Sequence, residues 1–160
     1  MTETINRRVT ATMEGDFAIF LIGFRINKFW RVRDWVSVFA AMPKMLRELS
    51  EKPELGLLHY RLHFGLRSTM VVQYWRNFEA LHAYAMARNC AHLPAWQAFN
   101  AAIGMSGSVG IWHETYLSGP DLYENIYVNM PPFGLGRAGT VVDASGALAS
   151  AAKRLRRGVN

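Results

Sequence analysis

Five histidines and one strand-borne carboxylate are the residues whose chemistry depends most on placement. His92 and Trp96 stand four apart on a segment that Pro94 marks as helical, so they share a helix face. An imidazole there serves as a haem ligand, as a general base near neutral pH, or as a cap on the Pro94 helix. His113 and Glu114 are adjacent on an apolar run, Val109 to Leu117, that reads as a strand, so they point to opposite faces and only one of them faces a given pocket. A carboxylate between Trp112 and Tyr116 needs a partner, and Arg25, Arg61 and Arg76 are the candidates. His59, Arg61 and His63 alternate along another strand and form one polar, cationic wall suited to an anionic or oxyanionic group, or a solvated or dimer-facing edge. Neither cluster has metal-ligand spacing, so no metal site is expected. Trp75, Trp96, Tyr74, Phe99 and Met70 supply walls for a hydrophobic pocket, and core packing explains several of them equally well.

These side chains are carried by a readable order of elements. Asp16–Ile26 is aromatic and β-branched, the first strand. Val32, Trp35, Val36 and Phe39, then Met42, Met45, Leu46 and Leu49, keep one helical face, with a kink or restart expected at Pro43. Leu57–Phe64 alternates, Gly65–Ser68 turns, and Met70–Trp75 returns as the antiparallel partner. Asn77 caps a helix bearing Phe78, Leu81 and Ala85; a second segment carries Leu93, Trp96, Phe99 and Ile103. Val109–Leu117 is the fourth strand and Glu124–Met130 a shorter fifth. The order β-α-β-β-α-β predicts an α+β, ferredoxin-like sandwich with helices on one sheet face. Large side chains on the other face predict a homodimer.

Composition sets the remaining bounds. The 160 residues, 51% of them hydrophobic, suit one domain, read here as 1–139, followed by a basic C-terminal tail, 140–160. The net charge of +6 is concentrated there: residues beyond Gly136 carry a net +4, leaving +2 for the body. That distribution argues against nucleic acid as a partner and for a solvated end. Cys90 stands alone, so no disulfide staples the chain. No apolar h-region follows the first charges and the longest apolar run, Phe17–Phe24, is too short for a bilayer; a cytoplasmic protein without stable membrane insertion is expected. Gly134-Leu135-Gly136-Arg137-Ala138-Gly139 spells the dinucleotide fingerprint, but the residues after it do not build the required βαβ unit.

Four stretches carry a family resemblance: Gln73-Tyr74-Trp75-Arg76-Asn77-Phe78-Glu79, His92-Leu93-Pro94-Ala95-Trp96, Gly110–Tyr116 and Tyr127–Leu135. Together they resemble a monooxygenase-like family similar to phenylacetaldoxime dehydratase, within the dimeric α/β-barrel group of antibiotic-biosynthesis monooxygenases. The resemblance, over Val9 to Gly139, implies that fold and a small tailoring oxygenase acting on a hydrophobic small molecule. In the wider group, haem-degrading members use a pocket Asn, Trp and His, and others oxidise polycyclic phenols without a cofactor. Trp75 and His92 resemble that Trp and His, whereas no Asn lies within the first strand, Asn27 being at its end. The expected catalytic residues are thus His92, His113 and Glu114, and the substrate-binding ones Trp75, Trp96, Tyr74, Phe99 and Arg61. The expected cofactor is none, with haem on a histidine as the alternative. A non-enzymatic binder of an apolar ligand is the third reading.

Overall fold

The computed structural model describes residues 3–102 and 104–155. Its centre is a four-stranded antiparallel sheet in the order β3-β4-β2-β5, formed by β2 (Phe17–Ile26), β3 (Leu57–Phe64), β4 (Ser68–Trp75) and β5 (Val109–Ser118). Helices α1 (Val32–Glu51), α2 (Phe78–Met86) and α3 (His92–Ala102) connect them in the expected β-α-β-β-α-β order, with the second connection split in two. This is the ferredoxin-like α+β fold.

Strand β2 is the middle of the sheet. It pairs with β4 from Ala18↔Trp75 to Arg25↔Ser68 and with β5 from Phe17↔Ser118 to Ile26↔Val109. Side chains alternate, so Ala18, Phe20, Ile22 and Phe24 face the helices together with Val71, Gln73 and Trp75. The helix-side core lies in two clusters, one around Trp75, Leu49, Leu81 and Tyr84 and one around Phe24, Ile26 and Val109. Asn77 caps α2 as its sequence position demands, its side chain accepting from the Ala80 N–H at 2.9 Å. Helix α1 does not restart at Pro43 but runs through it as one element. The amphipathic face continues on both sides of the proline, and its burial outweighs the one backbone hydrogen bond that proline cannot donate.

A second sheet was not anticipated. Ile5–Thr12 is a strand, β1, flanked by β6 (Tyr127–Met130) and β7 (Thr140–Asp143) in the order β6-β1-β7. The expected fifth strand therefore exists as β6 but belongs to this sheet. Arg7-Arg8-Val9-Thr10 gives little hydrophobic contrast, and its partners are over 100 residues away, so local pattern does not reveal it. Asn125 extends the pairing: its side-chain oxygen accepts from the Ala11 N–H at 2.6 Å and its amide donates to the Ala11 carbonyl at 3.0 Å. This small sheet packs Ala11, with Leu135 of the short helix α4 (Leu135–Ala138), onto Phe17, Ile19 and Tyr74, covering one end of the sheet face opposite the helices.

The expectation of a solvated end at 140–160 needs correction over its described part. Residues 140–143 form β7, and a final helical turn, α5 (Ala151–Arg154), places Arg154 at 2% exposure. Its guanidinium forms an ion pair with Glu124, Nε donating at 2.9 Å, and Nη1 donates to the Leu148 carbonyl at 2.8 Å. Two charges inside a small interface are retained because each satisfies the other. Ile103, Arg156 and Arg157 lie outside the described residues. Among the described residues no helix is long and apolar enough to cross a membrane.

Arg154→Ala strands Glu124 and should cost about 2 kcal/mol of stability by urea unfolding, whereas Lys153→Ala on the exposed side of the same turn should change it little. Truncation after Gly139 should cost more, since it also strips one edge from β1.

Candidate active site

Between the sheet and the helices lies a crevice lined by Phe20, Gln73, Trp75, Tyr84, Met45 and His92, among others. The alternation of β4 supplies Gln73 and Trp75 together and sends Tyr74 to the other face. Trp75 is fully buried, and its indole Nε1–H donates to Gln73 Oε1 at 2.8 Å. Because an indole N–H can only donate, this bond fixes the amide: Oε1 faces Trp75, and the NH2, with no hydrogen-bond partner among the described residues, is the free branch. Gln73 is thus a buried donor within the crevice.

His92 enters from the first turn of α3. Its Nδ1 lies 3.2 Å from the Ala85 carbonyl oxygen. A carbonyl only accepts, so this contact selects the tautomer with the proton on Nδ1 and leaves the lone pair on Nε2. The position of the ring is enforced from α1. Glu48 accepts from the Ala91 N–H at 2.8 Å, from Tyr84 Oη–H at 3.2 Å and from Lys52 Nζ at 3.1 Å, so one carboxylate ties α1 to the residue before His92 and to the tyrosine beside it. The Ala91 bond above all, then Lys52 and Tyr84, holds the Glu48 carboxyl below its ordinary value despite burial. Burial, and then the Glu48 charge, pushes the Tyr84 phenol up, so it is a neutral donor at all ordinary pH.

The other expected site residues lie elsewhere. His113 is on the helix side of β5, opposite Ile22, with its ring 5.6 Å from that of Phe20; it stands exposed beyond the crevice wall. Glu114 points to the opposite face, as alternation requires. Its expected arginine partner is not there: Arg25 donates to Asn27, Arg61 stacks on Phe133, Arg76 reaches the Glu54 carbonyl, and Glu114 instead accepts from Tyr116 Oη–H at 2.7 Å. On an exposed edge strand a carboxylate remains hydrated and needs no cation. Trp96, though four residues from His92, stacks on Phe99 at 5.7 Å and is half exposed, and Phe99 packs on the Phe24 cluster. Tyr74 and Arg61 belong to the far face, where His59 stacks on Tyr74 and Arg61 lies 4.0 Å over Phe133. Burial, then Arg137 and Arg61, holds the His59 imidazole below its ordinary value.

Of the expected set, then, the crevice brings together Trp75 and His92. Gln73, Tyr84 and Glu48 went unnoticed. Gln73 did carry a signal, being a polar residue at the inward phase of an apolar strand. Glu48 read only as the solvated side of a helix. Among the described residues no three His, Cys, Asp or Glu side chains gather as metal ligands do. The crevice is narrow, about 40 Å3, against roughly 300–1,000 Å3 for ordinary small-molecule sites.

The Glu48 carboxylate makes a pH prediction. A carboxyl held below its ordinary 4.5 in the fold contributes stability that is full above that value and lost as pH falls through the lower folded value. Glu48→Gln should therefore lower Tm by about 3–6 °C at neutral pH, and calorimetry should show the gap to the parent protein closing as the pH drops below 4.5.

Comparison with known proteins agrees with the fold and the family resemblance. Residues 17–135 match the family described as Monooxygenase af470-like. Monooxygenase af470 of Aspergillus fumigatus is 30% identical over 134 residues, 78% of this chain and 46% of that protein, so the chain spans about half its relative's length. Among solved structures, an aldoxime dehydratase superposes with a TM-score of 0.65 at 17% identity, over 90% of this chain and 45% of that one. SnoaB, a cofactor-independent oxygenase from Streptomyces nogalater, matches more loosely, with a TM-score of 0.45 at 15% identity over 63% of this chain and 91% of that one. With three quarters of its length inside the family match, the chain belongs to the monooxygenase af470-like family.

Proposed function

We propose that this chain is a cofactor-free tailoring oxygenase for a hydrophobic, electron-rich small molecule, with His92 as its base. The observation that carries the reading is the placement of His92: it lines an apolar crevice with Nδ1 engaged by the Ala85 carbonyl at 3.2 Å, so Nε2 is the ring nitrogen left to take a proton. In such a site the base takes a proton from an activated C–H or phenolic O–H, and the resulting carbanion or phenolate gives an electron to O2. Radical recombination makes a hydroperoxide. For an activated methylene its collapse leaves a carbonyl, with one oxygen atom in the product and the other released as water. The Gln73 NH2 supports the step by donating to the oxyanion that forms, and the largely apolar lining keeps bulk water from quenching it.

Entry of such a molecule requires the crevice to widen. Met42 and Met45, on α1, are unbranched and yield to a ligand more cheaply than any other part of the wall. Haem, larger than such a substrate, demands a wider opening still, so the residues as packed do not fit it and no step is routed through it.

We also infer that a second copy covers the sheet face opposite the helices where the β1 sheet leaves it open. Leu21, Val72, Met70, Trp112 and Tyr116 point there by alternation, and the Trp112 indole covers Gly23 so closely that a Cβ at residue 23 would sit 2.9 Å from it.

Oxygen consumption with an anthrone as substrate tests the reaction. His92→Gln should lower the rate at least about a hundredfold with Tm nearly unchanged, and exposed His82→Ala should not alter it. His113→Ala, beyond Phe20, should have at most a small effect. Trp75→Ala is a poor probe, because emptying a fully buried indole costs about 3–5 kcal/mol by itself. A Soret band in protein purified from haem-replete cells would overturn the cofactor-free reading. Light scattering should give a dimer, converted to monomer by Trp112→Glu.

A further inference from the structure

One end of the molecule, where β2 finishes and the β3–β4 hairpin turns, is apolar, exposed and strongly basic at once. Leu66 at the hairpin tip is 93% exposed, Trp30 77% and Phe64 68%, and Phe29, Val32 and Phe39 are exposed beside them. They form one surface. The Ile26 N–H donates to the Arg67 carbonyl at 2.8 Å, holding the hairpin turn against the chain that carries Phe29 and Trp30. The Arg67 guanidinium lies 5.0 Å over the Phe29 ring, and the Phe39 and Phe64 rings are 6.2 Å apart, joining α1 to the hairpin. None of these residues lines the crevice.

Charge decides what such a surface meets. Arg25, Lys28, Arg31, Arg33 and Arg67 surround it and Asp34 is the sole acid in residues 25–39 and 64–67, a net of +4. Asp34 is itself engaged by Arg31 and by Ser108, at 3.1 and 2.6 Å. The whole of residues 1–136 carries only +2, so everything else in that body is net negative. Pairing this surface with a second copy by a two-fold would set +4 against +4. Nucleic acid phosphates would take the cations and leave Leu66, Trp30 and Phe64 in water. An anionic lipid surface satisfies both components: acyl chains and the interfacial zone accept the aromatic and aliphatic tips, and the headgroups accept the arginines.

We propose that this end docks the protein peripherally on anionic membranes, with Trp30, Phe64 and Leu66 dipping into the interface and the arginine ring on the headgroups. The proposal is independent of the chemistry of the crevice. Flotation of the full chain with phosphatidylcholine vesicles containing phosphatidylserine tests it, with pure phosphatidylcholine vesicles as the second arm. The protein should float with the anionic vesicles, far less with the neutral ones, and be released by added salt. Trp30→Ser with Leu66→Ser, two exposed positions whose replacement leaves Tm unchanged, should abolish flotation. Arg33→Glu with Arg67→Glu should weaken it at least about tenfold, and Leu122→Ser at the opposite end should leave it intact. The proposal fails if the chain does not float with anionic vesicles, if the Trp30/Leu66 variant floats like the parent, or if neutral vesicles bind it equally. It fails in favour of self-association if that variant instead loses a subunit in light scattering. It fails in favour of nucleic acid if both variants lose retention on duplex DNA while the parent ignores vesicles.

Discussion

Strand β2 is hydrogen-bonded on both sides, and its register fixes which residue of every neighbour faces the helices. Ala18 opposite Trp75, Phe20 opposite Gln73 and Ile22 opposite His113 are consequences of one alignment. A slip of one residue would bury Arg25 in the helix layer and turn Phe24 outward, so the pairing is strongly specified. From that alignment follows the separation of Tyr74 from Trp75 and of Glu114 from His113. The chemistry of the crevice is thus decided by backbone pairing before any side-chain interaction is made.

Helix α1 converts this sheet face into a site. It is held at both ends by carboxylates: Asp34 accepts from Ser108 Oγ–H at 2.6 Å at the start of β5, and Glu48 accepts from Ala91 and Tyr84 near the start of α3. Between these anchors lie Met42, Pro43 and Met45, where one backbone hydrogen bond is missing and the side chains are the most pliable in the wall. The ends therefore preserve the His92 tautomer while the middle is the part able to give way to a ligand. Glu48 has a second effect: after burial itself, its charge keeps the Tyr84 phenol protonated, and it accepts that one O–H.

The rest of the surface is divided along the strands. At the Phe17 end, the chain covers its own sheet with β1, β6 and β7; in the middle, Trp112 and Tyr116 stand exposed on the face opposite the helices; at the Ile26 end, apolar tips and arginines face outward. The last two adjoin, since Phe64 of the Ile26 end lines one pocket with Met70 and Trp112. The buried Arg154–Glu124 pair joins the chain's last described turn to the first of these regions, which is why a segment rich in cations folds instead of trailing in solvent.

Local pattern in the amino-acid sequence determined the ferredoxin-like order, because periods of two and near 3.6 are written within single elements such as Leu57–Phe64 and Val32–Leu49. Asn77 as a cap and the opposed directions of His113 and Glu114 were legible for the same reason, whereas Trp75 with His92 was pointed to by the family resemblance. The motifs around them made the family legible as well. Spatial neighbours far apart in sequence were not: β1 with β6 and β7, Arg154 with Glu124, and Glu48 with Ala91 are each contacts across dozens of residues. Trp96 shows the limit most plainly, since helical spacing put it on the face of His92 but the packing of Phe99 on the Phe24 cluster turned the ring pair away. Sequence periodicity sets which side chains can share a face; only tertiary packing decides which of them meet, because that depends on how separate elements cross.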